Sequence, residues 1–284
     1  MAFNPDLIPK DLLNELRSKR CSLFIGAGLS IGSGLPDWKN LILELIEEIK
    51  QLPFDTTKDV EEYLKMVDDS SKFLMLAQDI KALLGKRFFD YMHKRFTDPG
   101  IQPSKNHELL FELPLNFMVT TNYDSLLEKA YIKKYQDLAT TLLFSQSKDI
   151  AYKLWNREFF ILKAHGDVRI NKDQLIMTEN DYREILFNSP GFQSALQVIF
   201  STNTMLFIGT SFTDPDFILM MRFLHTAYHG GGPTHYILIN ENEKLNVEAR
   251  RNMMDFNLHT IYYNPENNFA EITEFIELLG EKIK

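Results

Sequence analysis

Leu23-Phe24-Ile25-Gly26-Ala27-Gly28-Leu29-Ser30 is an apolar run that ends abruptly in a turn built on two glycines. The run is short, apolar and bounded by small residues, which is how a strand buried on both faces reads. The glycines let the chain turn tightly and approach a ligand, with freed N–H groups able to face a pyrophosphate. The spacing differs from the G-x-G-x-x-G dinucleotide fingerprint, because Ile31 holds the third glycine place. No acidic residue ends a second strand about 20 residues later. No lysine follows in P-loop spacing, which disfavours a nucleoside triphosphatase.

Further runs of the same kind follow along the chain. Phe117-Met118-Val119 precedes Thr120, and Phe159-Phe160-Ile161-Leu162 precedes Lys163. Met205-Leu206-Phe207-Ile208 precedes Gly209, and Tyr236-Ile237-Leu238-Ile239 precedes Asn240. His259-Thr260-Ile261-Tyr262-Tyr263 precedes Asn264-Pro265. Helical stretches separate most of them, so the expected fold is α/β, a Rossmann-like doubly wound parallel sheet. From about Leu41 to Leu113 the pattern is helical without a convincing strand. That predicts a helical insertion, about 41–113, inside a single domain covering 1–284. Its place between the first two strands suits one wall of a cleft.

In open parallel sheets ligands bind at the carboxyl ends of the strands. Here those ends carry Gly26-Ala27-Gly28-Leu29-Ser30, Thr120-Thr121-Asn122-Tyr123-Asp124, His165-Gly166-Asp167, Gly209-Thr210-Ser211 and Asn240-Glu241. Together they point to one cleft. Asn122 can both donate and accept, which suits a sugar hydroxyl or an oriented water. His165 can act as acid or base near neutral pH, and Gly166 would let a ligand come close. Thr210 and Ser211 offer hydroxyls. Asp124 is well placed to cap the next helix, a reading favoured over a ligand role. For Asp37-Trp38, after Gly32-Ser33-Gly34-Leu35-Pro36, spacing favours a helix start with Asp37 as cap and Trp38 in the core over a ligand role. His107 reads as a helix-start residue and His93, His225 and His229 as helix-surface residues. Asp214-Pro215 reads as another helix start, and 217–228 as a buried helix.

Composition narrows the function. The chain has 284 residues, 44% hydrophobic and 25% charged, an ordinary globular balance with enough chain for a full core. The net charge of −8 gives no broad basic face, so direct nucleic-acid binding is not expected. The single Cys21 excludes an internal disulfide framework and a four-cysteine zinc site. It reads as a small apolar residue opening a buried strand. The seven histidines show no H-E-x-x-H spacing, so no metal is expected. No apolar run reaches the roughly 18 residues of a membrane span, and the first residues lack a signal-peptide layout. A cytoplasmic protein is expected.

The ordered set of G-A-G-x-S, G-x-P, N-x-D, H-G, G-T-S and a late strand-end Asn, from Gly26 to Asn240, resembles the sirtuin fold. Two departures set the chain apart from sirtuin deacylases. Thr121 stands where those enzymes usually carry Gln, and the zinc module after H-G is missing. T-T-N-Y-D, H-G-D and G-x-S-F-T-D-P are more similar to sirtuin-like domains of bacterial antiphage defence systems, including the NADase part of Thoeris-type effectors. The resemblance implies hydrolysis of NAD, as substrate, to nicotinamide and ADP-ribose in abortive infection. Asn122 would position the nicotinamide ribose and a water, and His165 would be the base. Gly26, Ala27, Gly28 and Ser30 would cradle phosphates, Asp37 would sit beside the nicotinamide, Thr121 would be among the NAD-binding residues, and Asp124 would support the Asn122 loop. Gly209, Thr210 and Ser211 would contact phosphates and the adenosine ribose, and Asn240 the adenine-side ribose.

A constantly active hydrolase would be toxic. The chain length predicts no separate sensor domain, so control by a homo-oligomer or a partner is expected. The resemblance suggests a HerA-type ATPase or a short prokaryotic Argonaute as that partner. A zinc-free protein deacylase and a non-catalytic NAD or ADP-ribose sensor remain the alternative readings. The sequence does not separate NAD from NADP.

Overall fold

A computed structural model describes residues 3–170, 174–211, 221–222, 232–242, 247 and 254–284. The expected helix start at Asp214-Pro215, most of the expected 217–228 helix, His225 and His229 lie outside the described residues.

Among the described residues, seven parallel strands form one sheet in the order β3-β4-β2-β1-β5-β6-β7. They are β1 (Cys21–Ile25), β2 (Phe117–Thr120), β3 (Thr141–Leu143), β4 (Phe160–Lys163), β5 (Thr204–Ile208), β6 (His235–Asn240) and β7 (Leu258–Tyr263). Six correspond to the apolar runs of the sequence. β3 was not expected: it has three residues, pairs only with β4, and leaves Thr141 half-exposed. A strand that short carries no readable period.

β1 is the centre. Ile25 pairs with Thr120 of β2 on one side and with Ile208 of β5 on the other. The chain therefore leaves β1 toward one sheet edge and later returns to its opposite flank. This is a topological switch point, where open parallel sheets leave a crevice at the strand ends.

All five residues of β1 are buried, and successive side chains enter different cores. Phe24, Val119, Leu162, Phe207 and Ile237 face one side of the sheet. There they meet Ile150 of α8 (Ser147–Asn156), Tyr182 of α9 (Glu179–Phe187) and Phe192 of α10 (Pro190–Thr202). Leu23, Ile25, Met118, Ile161, Leu206 and Leu238 face the other side. They pack on α1 (Lys10–Arg17), α6 (Lys105–Leu110), α7 (Leu126–Tyr135) and α11 (Glu266–Lys282). Each fully buried Phe or Leu contributes about 1.5–3 kcal/mol, so both layers hold the sheet firmly. Cys21 is completely buried in β1, as its small apolar character requires, and burial pushes its thiol pKa upward.

Between β1 and β2 the chain forms only helices: a 3-10 turn over Ala27–Ser33, then α2 (Trp38–Ile49), α3 (Thr57–Met66), α4 (Phe73–Leu84), α5 (Lys86–Phe96) and α6, with short 3-10 turns. Leu41, Leu45, Ile80, Leu84, Phe88 and Met92 join a third core that also takes Tyr123, Val168 and Leu175 from loops at the strand ends. This helical layer is thus packed against the carboxyl edge of the sheet. No described helix is long and apolar enough to cross a membrane.

Candidate functional site

The turn after β1 and the turn after β5 are pressed together. The N–H of Gly26 donates to the Ile208 carbonyl at 3.0 Å and that of Gly28 to the Gly209 carbonyl at 2.8 Å. A Cβ on Gly26 would lie 2.5 Å from the Gly209 carbonyl oxygen. Gly209 has φ +73°, and a Cβ there would lie 2.4 Å from the Leu29 nitrogen. The glycines are needed here because two backbones touch. The sequence expectation of freed N–H groups differs from this arrangement, because the N–H groups of Gly26, Gly28 and Leu29 are all bonded to carbonyls.

A cleft opens beside these turns. Ala27 and Ser30 line it from the first turn, Asp37 and Trp38 from the start of α2, and Thr121, Asn122 and Asp124 from the loop after β2. His165 follows β4 and Thr210 follows β5. Phe24, Leu35, Leu41, Phe96 and Tyr123 make its apolar part.

Asn122 is buried and held by its amide nitrogen. Nδ2 donates to the Gly26 carbonyl at 3.2 Å and to Ser30 Oγ at 3.1 Å. Among the described residues its Oδ1 has no hydrogen-bond partner, and neither does the buried Oγ1 of Thr210, which also lines the cleft. Buried polar atoms without partners are rare and costly, and two lining one cleft fit a ligand that brings hydroxyls or amides.

Ser30 is the junction of the site. Its hydroxyl donates to Asp124 Oδ2 at 2.9 Å and accepts from Asn122. His107 Nε2 lies 3.5 Å away. The Ser104 N–H donates to His107 Nδ1 at 3.2 Å, so Nδ1 is the acceptor and Nε2 carries the proton toward Ser30. His107 does sit at the start of α6, as its sequence suggests, yet it is fully buried and reaches the site. Burial lowers its pKa, and the imidazole is neutral. Asp124 also caps α7, its Oδ1 accepting from the Leu126 N–H at 2.9 Å.

His165 is buried against Tyr182, whose hydroxyl is 3.2 Å from Nε2. Desolvation pushes its pKa down to about 3, so the ring is neutral. Gly166, at φ +85°, does not serve ligand approach. A Cβ there would lie 2.5 Å from the Gln174 carbonyl oxygen, so its smallness serves a backbone crossing.

Asp37 and Trp38 take the structural role expected from spacing and still line the cleft. Asp37 Oδ1 accepts from the Asn40 N–H at 2.8 Å, capping α2, and Trp38 stacks on Phe73. Gly26, Gly28, Gly209 and Ser211 stand behind or beside the lining. Asn240 ends β6, outside the lining, and its Oδ1 accepts from the Asn242 N–H at 2.9 Å. Sequence reasoning missed His107 and Lys163. Only the tertiary contacts single them out. Among the described residues, no group of three His, Cys, Asp or Glu side chains is arranged to hold a metal ion.

A family model of the SIR2-like domain matches residues 116–261. The chain is 27% identical to the NAD(+) hydrolase ThsA of Bacillus cereus (strain MSX-D12), an alignment covering 100% of this chain and 59% of the relative. It is 27% identical to the NAD(+) hydrolase ThsA of Cytobacillus dafuensis over 86% of this chain and 46% of that one. It is 25% identical to the defense-associated sirtuin 2 of Bacillus subtilis over 76% of this chain and 20% of that one. The chain spans about half the length of the ThsA relatives it matches.

Proposed function

Because the chain belongs to the SIR2-like domain family, we propose that it is an NAD+ hydrolase, releasing nicotinamide and ADP-ribose. The observation that carries this reading is a single cleft holding Asn122, with its amide nitrogen fixed and its oxygen open, and a buried neutral His165. Cleaving the N-glycosidic bond builds positive charge on the ribose, while nicotinamide leaves as a neutral molecule. The reaction therefore needs orientation and charge stabilisation more than a strong acid. Asn122 Oδ1 accepts from a ribose hydroxyl or the attacking water. Neutral His165 takes the proton that the hydroxyl or water gives up. The carboxylate of Asp124 supports the positive centre through Ser30, which it holds and which in turn holds Asn122. The Thr210 hydroxyl meets the phosphate or ribose side, with Gly209 and Ser211 beside it and Asn240 toward the adenine-side ribose. Gly26, Ala27, Gly28 and Ser30 bring the backbone close to the phosphates, and Asp37 borders the nicotinamide end. Thr121, in the cleft lining, takes part in binding NAD.

The biological role that fits is an antiphage defence effector in the cytoplasm, supported by the similarity to the NAD(+) hydrolase ThsA and to the defense-associated sirtuin 2. Depleting NAD harms the host, so the activity is gated, by a homo-oligomer or a regulatory partner. The test is NAD turnover by wild type, Asn122→Ala and His165→Ala, with and without candidate partners. Each variant is expected to lose about 10²–10⁴-fold. Wild-type turnover in both variants overturns the site assignment. Nicotinamide release only with an acylated peptide would indicate deacylation. NAD binding without turnover in every mixture would indicate a sensor.

A further inference from the structure

Lys163, the last residue of β4, is 1% exposed. A lysine is almost never buried this completely unless it is paired. Its ammonium donates to the main-chain carbonyl of Asp124. It also lies 3.5 Å from Asp167 Oδ2 and 3.8 Å from Glu128 Oε1. Asp167, fully buried, accepts two bonds from the Arg169 guanidinium at 2.9 and 3.1 Å and one from the Arg169 N–H at 2.8 Å. Arg169 Nη2 reaches on to Glu128 Oε1 at 3.3 Å. Two cations and two carboxylates thus form one cluster beneath the cleft, and none of the four lines it.

The cluster joins two loops. Asp124 belongs to the loop that carries Asn122, and Asp167 to the turn that carries His165. Lys163 is bonded to the backbone of the first and ion-paired with the side chain of the second. A buried ion group of this kind is seldom worth more than apolar residues of the same volume, so its use lies in geometry. We propose that Lys163 is a positioning residue that sets the Asn122 loop and the His165 turn in register, so that the amide and the imidazole act on one substrate. The inference rests on the hydrolase reading of the cleft.

Lys163→Met alone leaves buried carboxylates short of a counter-charge and risks misfolding. The test variant is therefore Lys163→Met with Glu128→Gln, which keeps the cluster neutral while removing the bond to the Asp124 carbonyl. Hydrogen exchange is measured over 120–126 and 164–170, with 41–96 as the internal reference, alongside NAD turnover. The expected result is exchange at least about tenfold faster in both loops with the reference unchanged. With it comes a fall of about 10²-fold in kcat and a KM within about threefold of wild type. Unchanged exchange in either loop, or a uniform rise across the chain, overturns the proposal. Exchange needs no turnover, so Lys163 is decided independently, while absence of NAD turnover by wild type in every mixture with candidate partners is what counts against the hydrolase reading.

Discussion

Asn122 Nδ2 and Ser30 Oγ, 92 residues apart in the chain, are 3.1 Å apart in the fold. That bond gives the Asn122 amide its orientation. With Nδ2 committed to Ser30 and Gly26, the remaining amide atom that can meet a ligand is Oδ1.

Ser30→Ala removes the acceptor for Asn122 and the donor to Asp124 at once. Both lost partners are buried, so the expected destabilisation is about 1–3 kcal/mol. A urea midpoint measures it. Turnover is expected to fall further than the stability loss explains, because the amide can rotate. A variant with full turnover and an unchanged midpoint would contradict the junction role.

Gly209→Ala forces a side chain at φ +73° into the Leu29 backbone nitrogen. The strain alone costs about 1–3 kcal/mol, and the two turns must separate. Gly32→Ala is the control, since a Cβ there meets nothing within 4 Å. Thermal unfolding should separate the two, with Gly209→Ala clearly lower and Gly32→Ala near wild type.

Three buried histidines make the fold acid-sensitive. Burial lowers the pKa of His107, pushes His165 to about 3 and His235 to about 4. Between those values and the unfolded value near 6.5, the unfolded chain binds protons that the native chain refuses. Stability is therefore fully present above pH 6.5 and lost as pH falls below it. For His165 and His235 the loss between pH 6.5 and 5 is about 2 kcal/mol each. Glu128, whose pKa is raised by burial, works in the opposite direction and offsets part of this. Urea midpoints at pH 7 and pH 5 check the sign, and a higher midpoint at pH 5 would refute it.

The neutral state of His165 also shapes the rate. If it is the base, kcat/KM should not fall through pH 6.5, as an ordinary histidine would require. The acid limb is expected to coincide with unfolding, and a rate profile compared with a far-UV melt over pH 4–8 tests this.

Arg95 latches the first loop from outside. Its guanidinium donates to the Gly34 carbonyl at 2.8 Å and pairs with Glu44, which also accepts from Tyr91. Arg95→Ala is expected to cost under about 1 kcal/mol, since the pair is partly solvated. On the proposed hydrolase reading, KM for NAD should rise several-fold, to about 3–10 times wild type, as the 27–37 loop loosens. Faster proteolytic cutting near 32–34 would accompany it.

Much of the architecture was legible along the chain. Apolar runs such as 205–208 announce doubly buried strands by local composition, and β3 escaped because three residues carry no pattern. The cleft residues at strand ends, Asn122 and His165 among them, were readable because a parallel sheet gathers those ends on one edge. Asn240 obeyed the same rule, yet its side chain caps its own turn. Lys163 read only as the polar end of a strand, and His107 only as a helix start. Their partners lie far along the chain, 39 residues away for Lys163 and Asp124 and 77 for His107 and Ser30.

The sequence by itself determined six of the seven described strands, their parallel sense, the turns that end them and the absence of a four-cysteine module. These follow from local rules of periodicity, turn conformation and composition. Only the tertiary structure decided which polar groups are spent on one another and which are left open. Gly26 and Gly28 give their N–H groups to carbonyls of the β5 turn, Asp124 is consumed by Ser30 and a helix cap, and Asn122 Oδ1 and Thr210 Oγ1 remain unsatisfied in the cleft. Hydrogen-bond satisfaction in a buried volume is a property of all the chains that meet there, so no single stretch of sequence encodes it.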